Sequence, residues 1–181
     1  MRWEALFADM EAQLDAALAA GLAAEVADLT RAERATVELG NRLRAAHGAR
    51  LTVLVAGAGT AAGELVVGEL LDVAAQWMLL GDGTRRALVP LQAVVAVRGL
   101  PVRSAPAPGE VARRLGLGSA LRALARDRAT VRLVTAGAEL GGRIERVGAD
   151  HLDLAAGVDG GWDAATVWAV PFAALRTVRS D

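Results

Sequence analysis

Four blocks of this chain recur in the same order roughly 75–80 residues apart, and an internal repeat of that kind limits the fold to one built from two like units. Leu39-Gly40-Asn41-Arg42-Leu43-Arg44-Ala45 returns as Leu117-Gly118-Ser119-Ala120-Leu121-Arg122-Ala123. The apolar, β-branched run 51–55 returns at 131–135, and both are followed by Ala-Gly (Ala56-Gly57, Ala136-Gly137). Residues 73–80 answer 147–154, and the closing segment 89–97, with Pro90, answers 170–178, with Pro171. Length differs between the copies only where turns are expected, so the pattern reads as a tandem duplication. Each copy holds about 60 residues with its helix, and domains that small are marginally stable alone. The copies are therefore expected to pack on each other, on the N-terminal segment or on another chain.

The second copy shows its strands best. Val131, Leu133, Leu140, Ile144, Val147, Leu152 and Leu154 alternate with polar residues, the period-two pattern of a half-buried strand. Gly137, Gly141-Gly142 and the glycines of 157–161 stand where turns or sharp bends are needed. Five short, strongly bent strands make a small barrel, which removes most of the open-edge liability. Pro101, Pro106 and Pro108 mark 100–109 as a linker. The expected organisation is a helical segment over 1–40, a first barrel over 41–100, a Pro-rich linker over 101–110 and a second barrel over 111–181.

Residues 2–39, rich in Ala, Leu and Glu and free of Pro, are predicted to be helical. Trp3, Leu6, Phe7, Met10, Leu14 and Leu18 form an apolar stripe, the candidate interface for a partner helix. Gly21 interrupts the stripe, and Leu22, Val26, Leu29 and Val37 resume it with shifted phase. A helix packed on the rest of the protein and a helix that dimerises both fit the stripe; strict heptads, and with them a long coiled coil, are not kept. Gly40-Asn41 is expected to end this helix and cap a second one over 42–47.

Net charge is −1, which argues against a strongly basic nucleic-acid binder, but its distribution is uneven. Residues 1–48 carry five Arg against eight acids, and 101–130 carry six Arg against two. Arg113, Arg114, Arg122, Arg126 and Arg128 gather around the second short helix and, with Arg103, are the candidates for phosphate contact. Arg85 and Arg86 at a hairpin tip share that candidacy; a solvated helix face, or pairing with the acidic N-terminal segment, accounts for the cluster equally. Trp77 could stack a base or simply pack, and Trp162 and Trp168 flank a Gly/Asp-rich loop. No Cys is present and only two His, His47 and His151, so neither disulfides nor a metal site is expected. His151 lies beside Asp150 and Asp153, but no Ser–His–Asp set, carboxylate pair or Walker loop emerges. No enzyme activity and no cofactor are predicted. With Glu4 and Asp9 in its first residues the chain lacks the apolar run of a signal peptide, and no stretch reaches a membrane span, so a cytoplasmic location is expected.

Ala56-Gly57-Ala58-Gly59-Thr60-Ala61-Ala62-Gly63 follows an apolar strand as a dinucleotide fingerprint would, with Asp82 about twenty residues on. No succession of βα units accompanies it, and its counterpart in the second copy is a short Ala136-Gly137 turn. A lengthened hairpin loop is the expectation.

With a short helix and then five bent strands, each copy resembles the Sm-like family of the Sm, LSm and Hfq type. Gly142-Arg143-Ile144-Glu145-Arg146-Val147 is similar to that family's second strand, and Ala174-Leu175-Arg176-Thr177-Val178 resembles the closing strand of the Hfq branch. The layout also resembles that of actinobacterial proteins. The resemblance implies a mainly β fold: a long N-terminal helix, then two tandem five-stranded Sm-like barrels. It further implies a non-enzymatic, oligomeric binding protein, associated with RNA through its Arg-rich surfaces. The alternative is a protein–protein scaffold or assembly module that binds no nucleic acid. The family's RNA-contacting loops are not kept: Ala74 and Gly148 replace the usual Asp, and Leu91-Gln92 and Phe172-Ala173 stand where Lys-His or Arg-Gly is common.

Overall fold

A computed structural model describes residues 2–57, 63–106, 109, 116–158 and 161–180, without the side chains of Arg2, Ala5 and 157–166. The chain divides into two units, residues 1–38 and residues 39–181. The first consists of one helix, α1 (Arg2–Ala35). It ends four residues before the sequence-based boundary, because the β-branched pair Thr36-Val37 follows Ala35 and loses side-chain freedom in a helix. Thr36 and Val37 instead close a turn on the carbonyls of Glu33 and Arg34. Gly40 and Asn41 are therefore not a stop and a cap; both lie inside α2 (Leu39–Ala45).

In the second unit α2 precedes β1 (Arg50–Val55), β2 (Glu64–Val73), β3 (Trp77–Asp82), β4 (Arg85–Pro90) and β5 (Val94–Arg98). Then α3 (Leu117–Arg126) precedes β6 (Thr130–Thr135), β7 (Glu139–Val147), β8 (His151–Val158), β9 (Gly161–Pro171) and β10 (Leu175–Ser180). A short 3-10 turn, Leu91–Ala93 in one half and Phe172–Ala174 in the other, joins the fourth and fifth strands of each half. All ten strands belong to one antiparallel sheet in the order β5-β1-β2-β3-β4-β10-β6-β7-β8-β9. Instead of two separate closed barrels, the strands form one open sheet. The edge of β4 is taken by β10 of the other half, so β4 and β5 stand at opposite ends of their own five-strand half.

The duplication is visible bond by bond. Ala74 N–H donates to Trp77 O and Gly148 N–H to His151 O, both at 2.9 Å. Leu91 N–H reaches Gln76 O at 2.9 Å, as Phe172 N–H reaches Asp150 O at 2.7 Å. Ala56 N–H meets Ala93 O and Ala136 N–H meets Ala174 O. The second strand of each half shifts register at the same place, between Leu70 and Asp72 and between Ile144 and Arg146. Two residues before each shift stands a glycine. A Cβ on Gly68 would lie 2.8 Å from Gly81 O, and one on Gly142 would press on Ala155 O. Only glycine lets the neighbouring strand approach so closely as the sheet bends.

Each half has its own apolar core, anchored by one fully buried leucine from its helix, Leu43 in α2 and Leu121 in α3. The first core draws only on residues 43–100. The second is not self-contained, since Ala74, Trp77 and Leu88 of the first half enter it. The Pro-rich link between the halves is strapped to α2: Ala105 N–H donates to Asn41 O at 2.9 Å, and the guanidinium groups of Arg42 and Arg44 reach Pro101 O and Pro106 O.

Replacing Gly142 by Val is expected to cost about 2–3 kcal/mol through overpacking against backbone. Gly141→Ala, into open space, is expected to stay within about 0.5 kcal/mol of the parent. Urea denaturation of both variants checks this, and equal midpoints would contradict the close-approach explanation.

Candidate functional site

The features that distinguish this sheet are its internal junction and its two outer edges. Where the halves meet, Leu88 of β4 faces Val178 of β10, Ala87 faces Arg179 and Arg86 faces Ser180. Leu88 and Val178 are buried there, and Arg179 is held by an ion pair with Glu64. Counting from the matched prolines, β9 is the repeat counterpart of β4: Ala169 corresponds to Leu88 and Trp168 to Ala87. Counting from the matched 3-10 turns, β5 corresponds to β10, so that Val97 stands for Val178 and Arg98 for Arg179. Among the described residues β5 and β9 each pair on one side only. Val95 is 61% exposed, and Val167 and Trp168 are each 50% exposed. An edge strand with exposed apolar residues is a template for pairing with another chain.

Beside the junction a recess of about 640 Å³ is lined by the turns of both halves and the start of α3, among them Gln76, Gln92, Ser119, Arg122, Asp150 and Phe172. Two amide side chains stitch it. Gln92 Nε2 donates to Phe172 O at 2.9 Å. Gln76 Oε1 accepts from Leu117 N–H at 2.9 Å, so the first half caps the helix of the second, a bond worth about 1 kcal/mol. Ser119, which resembles an N-cap in sequence, lies inside α3, and the true cap position, Gly116, offers no side chain. At the rim Asp150 Oδ1 and His151 Nδ1 are 2.9 Å apart. The hydrogen bond from His151 holds the Asp150 carboxyl below the usual aspartate value, and desolvation opposes it. The pair is exposed, and the described residues contain no group of three or more His, Asp or Glu that could hold a metal ion.

The candidate phosphate contacts are dispersed. Arg113 and Arg114 lie outside the described residues. Arg122 and Arg126 are exposed on α3 and, with Arg146 of β7, border a shallow surface recess that also includes Ser119 and Glu145. Glu145 is engaged by Arg143 at 2.6 Å and 3.0 Å. Arg128 is exposed just beyond α3 with a φ of 50°, and Arg103 is exposed in the link. Arg86 donates to Gly83 O and Arg85 O within its own turn. That turn, with Arg85, lies at the far end of the β3–β4 hairpin from the recess, six residues away along each strand. Arg146 went unnoticed in sequence because its strand reads as structural; only the packing of α3 along β7 brings it beside Arg122 and Arg126.

Trp77 is buried in the second core and is therefore a packing residue. The side chain of Trp162 and most of the loop 57–63 lie outside the described residues. On α1 the stripe Trp3, Leu6, Phe7, Met10, Leu14 and Leu18 is exposed throughout, from 47% at Leu6 to 71% at Trp3. No described helix is long and apolar enough to cross a membrane. No family model matches the chain, and no curated protein matches it.

Proposed function

We propose that the chain is a non-enzymatic, Sm-like assembly module that joins copies of itself head to tail through the two free edges of its sheet. The observation that carries this function is the β4–β10 pairing. Because the halves are repeats, that junction is a template for a second one, in which β9 of one chain takes the part of β4 and β5 of the next takes the part of β10. Transferred register sets Ala169 opposite Val97 and Trp168 opposite Arg98. The half-exposed Trp168 indole and the exposed Arg98 guanidinium would then form a cation–π contact where Ala87 and Arg179 face each other inside the chain. One heterologous contact repeated at every joint either closes into a ring or continues as a filament. The bent second strands and the resemblance to Sm-like proteins favour the ring.

RNA is the second proposal, supported by Arg122, Arg126 and Arg146 around one surface recess whose acid, Glu145, is already paired with Arg143. Such a site would read phosphate charge without base identity, apart from the turn residues used by the family.

The chain has no cysteine, which allows a direct test of the edge register. Oxidation of a Val97→Cys, Ala169→Cys chain is expected to give covalent oligomers on a denaturing gel. Each single variant and the displaced pair Val95→Cys, Ala169→Cys are expected to remain unlinked. No oligomers from the matched pair, or equal amounts from the displaced one, would overturn the proposal. For RNA, filter binding to a single strand is expected to fall with salt at a log–log slope of about −2, for three phosphate contacts. Arg122→Glu with Arg126→Glu should abolish the retention, and salt-insensitive binding would count against this second role.

A further inference from the structure

Helices α2 and α3 are repeat counterparts, yet among the described residues only α2 has its outer face covered by another segment of chain. There Ala105 N–H donates to Asn41 O at 2.9 Å, and Arg44 Nη2 donates to Pro106 O at 3.2 Å while also holding Asn41 Oδ1. The repeated block sets Ser119 for Asn41 and Arg122 for Arg44. The two arginines also lie alike over their helices. A Cβ on Gly40 would stand 3.6 Å from Arg44 Nη1, and one on Gly118 would stand 3.5 Å from Arg122 Nη1. Arg44 is half-buried against the link, whereas Arg122 is exposed, with no hydrogen bond among the described residues.

Where the α3 face departs from the α2 face, it defines what it can take. Ala120 replaces Arg42, whose guanidinium grips Pro101 O, so only the Ala105-Pro106 part of the link has an equivalent foothold. Phe172 stands where the first half has Leu91 and packs beside Gly118, its Cε2 3.5 Å from the Cβ position there. An aromatic surface next to an arginine suits a proline ring, and proline keeps a segment extended at little entropic cost. Arg126, whose counterpart is Gly48, lies one turn beyond Arg122. With Arg146 and Ser119 these two arginines line the shallow recess over β7. The acid in that recess, Glu145, is engaged by Arg143, which leaves the face with surplus positive charge.

We infer that α3 docks an extended peptide of another protein, in which an X-Pro step is followed by acidic residues. The amide before the proline donates to Ser119 O, Arg122 donates to the proline carbonyl, and the pyrrolidine ring packs on Phe172. Arg126 lies about 6 Å further along the helix, roughly the length of two extended residues. A carboxylate two or three positions after the proline therefore reaches Arg126 and Arg146. The chain itself supplies the precedent, since Ala105-Pro106 is held by the equivalent pair of groups on α2. That precedent is polypeptide, which favours a peptide over RNA at the arginines both could use. The contact is independent of the strand edges on β5 and β9.

The test titrates the full-length chain into a fluorescently labelled peptide, Ser-Ala-Pro-Ala-Glu-Glu, whose first three residues repeat Ser104-Ala105-Pro106, and reads anisotropy. Saturable binding is expected. Arg122→Ala, at an exposed position that leaves the fold intact, should weaken it about tenfold through loss of a charged hydrogen bond. Arg126→Gln should weaken it about twofold, and alanine in place of the peptide's proline about threefold. Arg44→Ala should leave the affinity unchanged, because the peptide uses α3 and not the covered face of α2. Absence of binding would overturn the proposal, as would binding lost in Arg44→Ala but kept in Arg122→Ala. Binding indifferent to the proline would reduce the contact to charge alone and contradict it. A chain that ignores the peptide yet retains single-stranded RNA through Arg122 would assign this face to nucleic acid instead.

Discussion

A strand at the edge of a sheet exposes a row of amide and carbonyl groups, and β4 avoids this by pairing with β10 across the boundary between the repeats. The rest of the unit follows from that choice. Leu88, carried by β4, is delivered into the core of the second half together with Trp77 and Ala74. Gln76, in the turn before β3, reaches the first amide of α3. A domain of about 60 residues buries little surface and is marginally stable alone, and the junction lets one half complete the packing of the other. The halves are thus repeats in sequence but unequal in packing: the first core is self-contained, and the second borrows from the first.

The elements themselves were legible in the sequence because their causes are local. Alternation in 131–154, the Ala-Gly steps after the first strands, and the paired Val-Pro steps before the closing strands all depend on residues close together in the chain. Leu43 and Leu121, singled out only as parts of a repeated block, are the anchors of their respective cores. What was not legible is non-local. Ala87, Leu88 and Val178 look like ordinary strand residues, and nothing in their spacing says that they belong to one ladder. Asn41 and Ser119 have the chemistry of helix caps, yet tertiary contacts move the helix starts upstream and hand the cap of α3 to Gln76. The Arg-rich candidates were chosen by proximity in sequence, and the sheet separates Arg85 and Arg86 from Arg122 and Arg126 while adding Arg146.

A duplicated chain whose internal joint uses the fourth strand of one repeat and the fifth of the other leaves the complementary pair of edges at its ends. Under the proposed head-to-tail assembly, every added chain would regenerate the edges it consumes until the assembly closes. In the proposed assembly Trp168 and Arg98 would stand where Ala87 and Arg179 face each other within the chain, so the joint between chains would differ in strength from the joint within one.

Native-state hydrogen exchange on the full chain tests the junction at the centre of this account. The interstrand-bonded amides of β4 and β10 are expected to exchange only through the global unfolding that also releases β2 and β7. Fast exchange of β4 and β10 while β2 and β7 stay protected would mean that the halves are independent. The ten-stranded sheet would then not be the structure on which assembly is built.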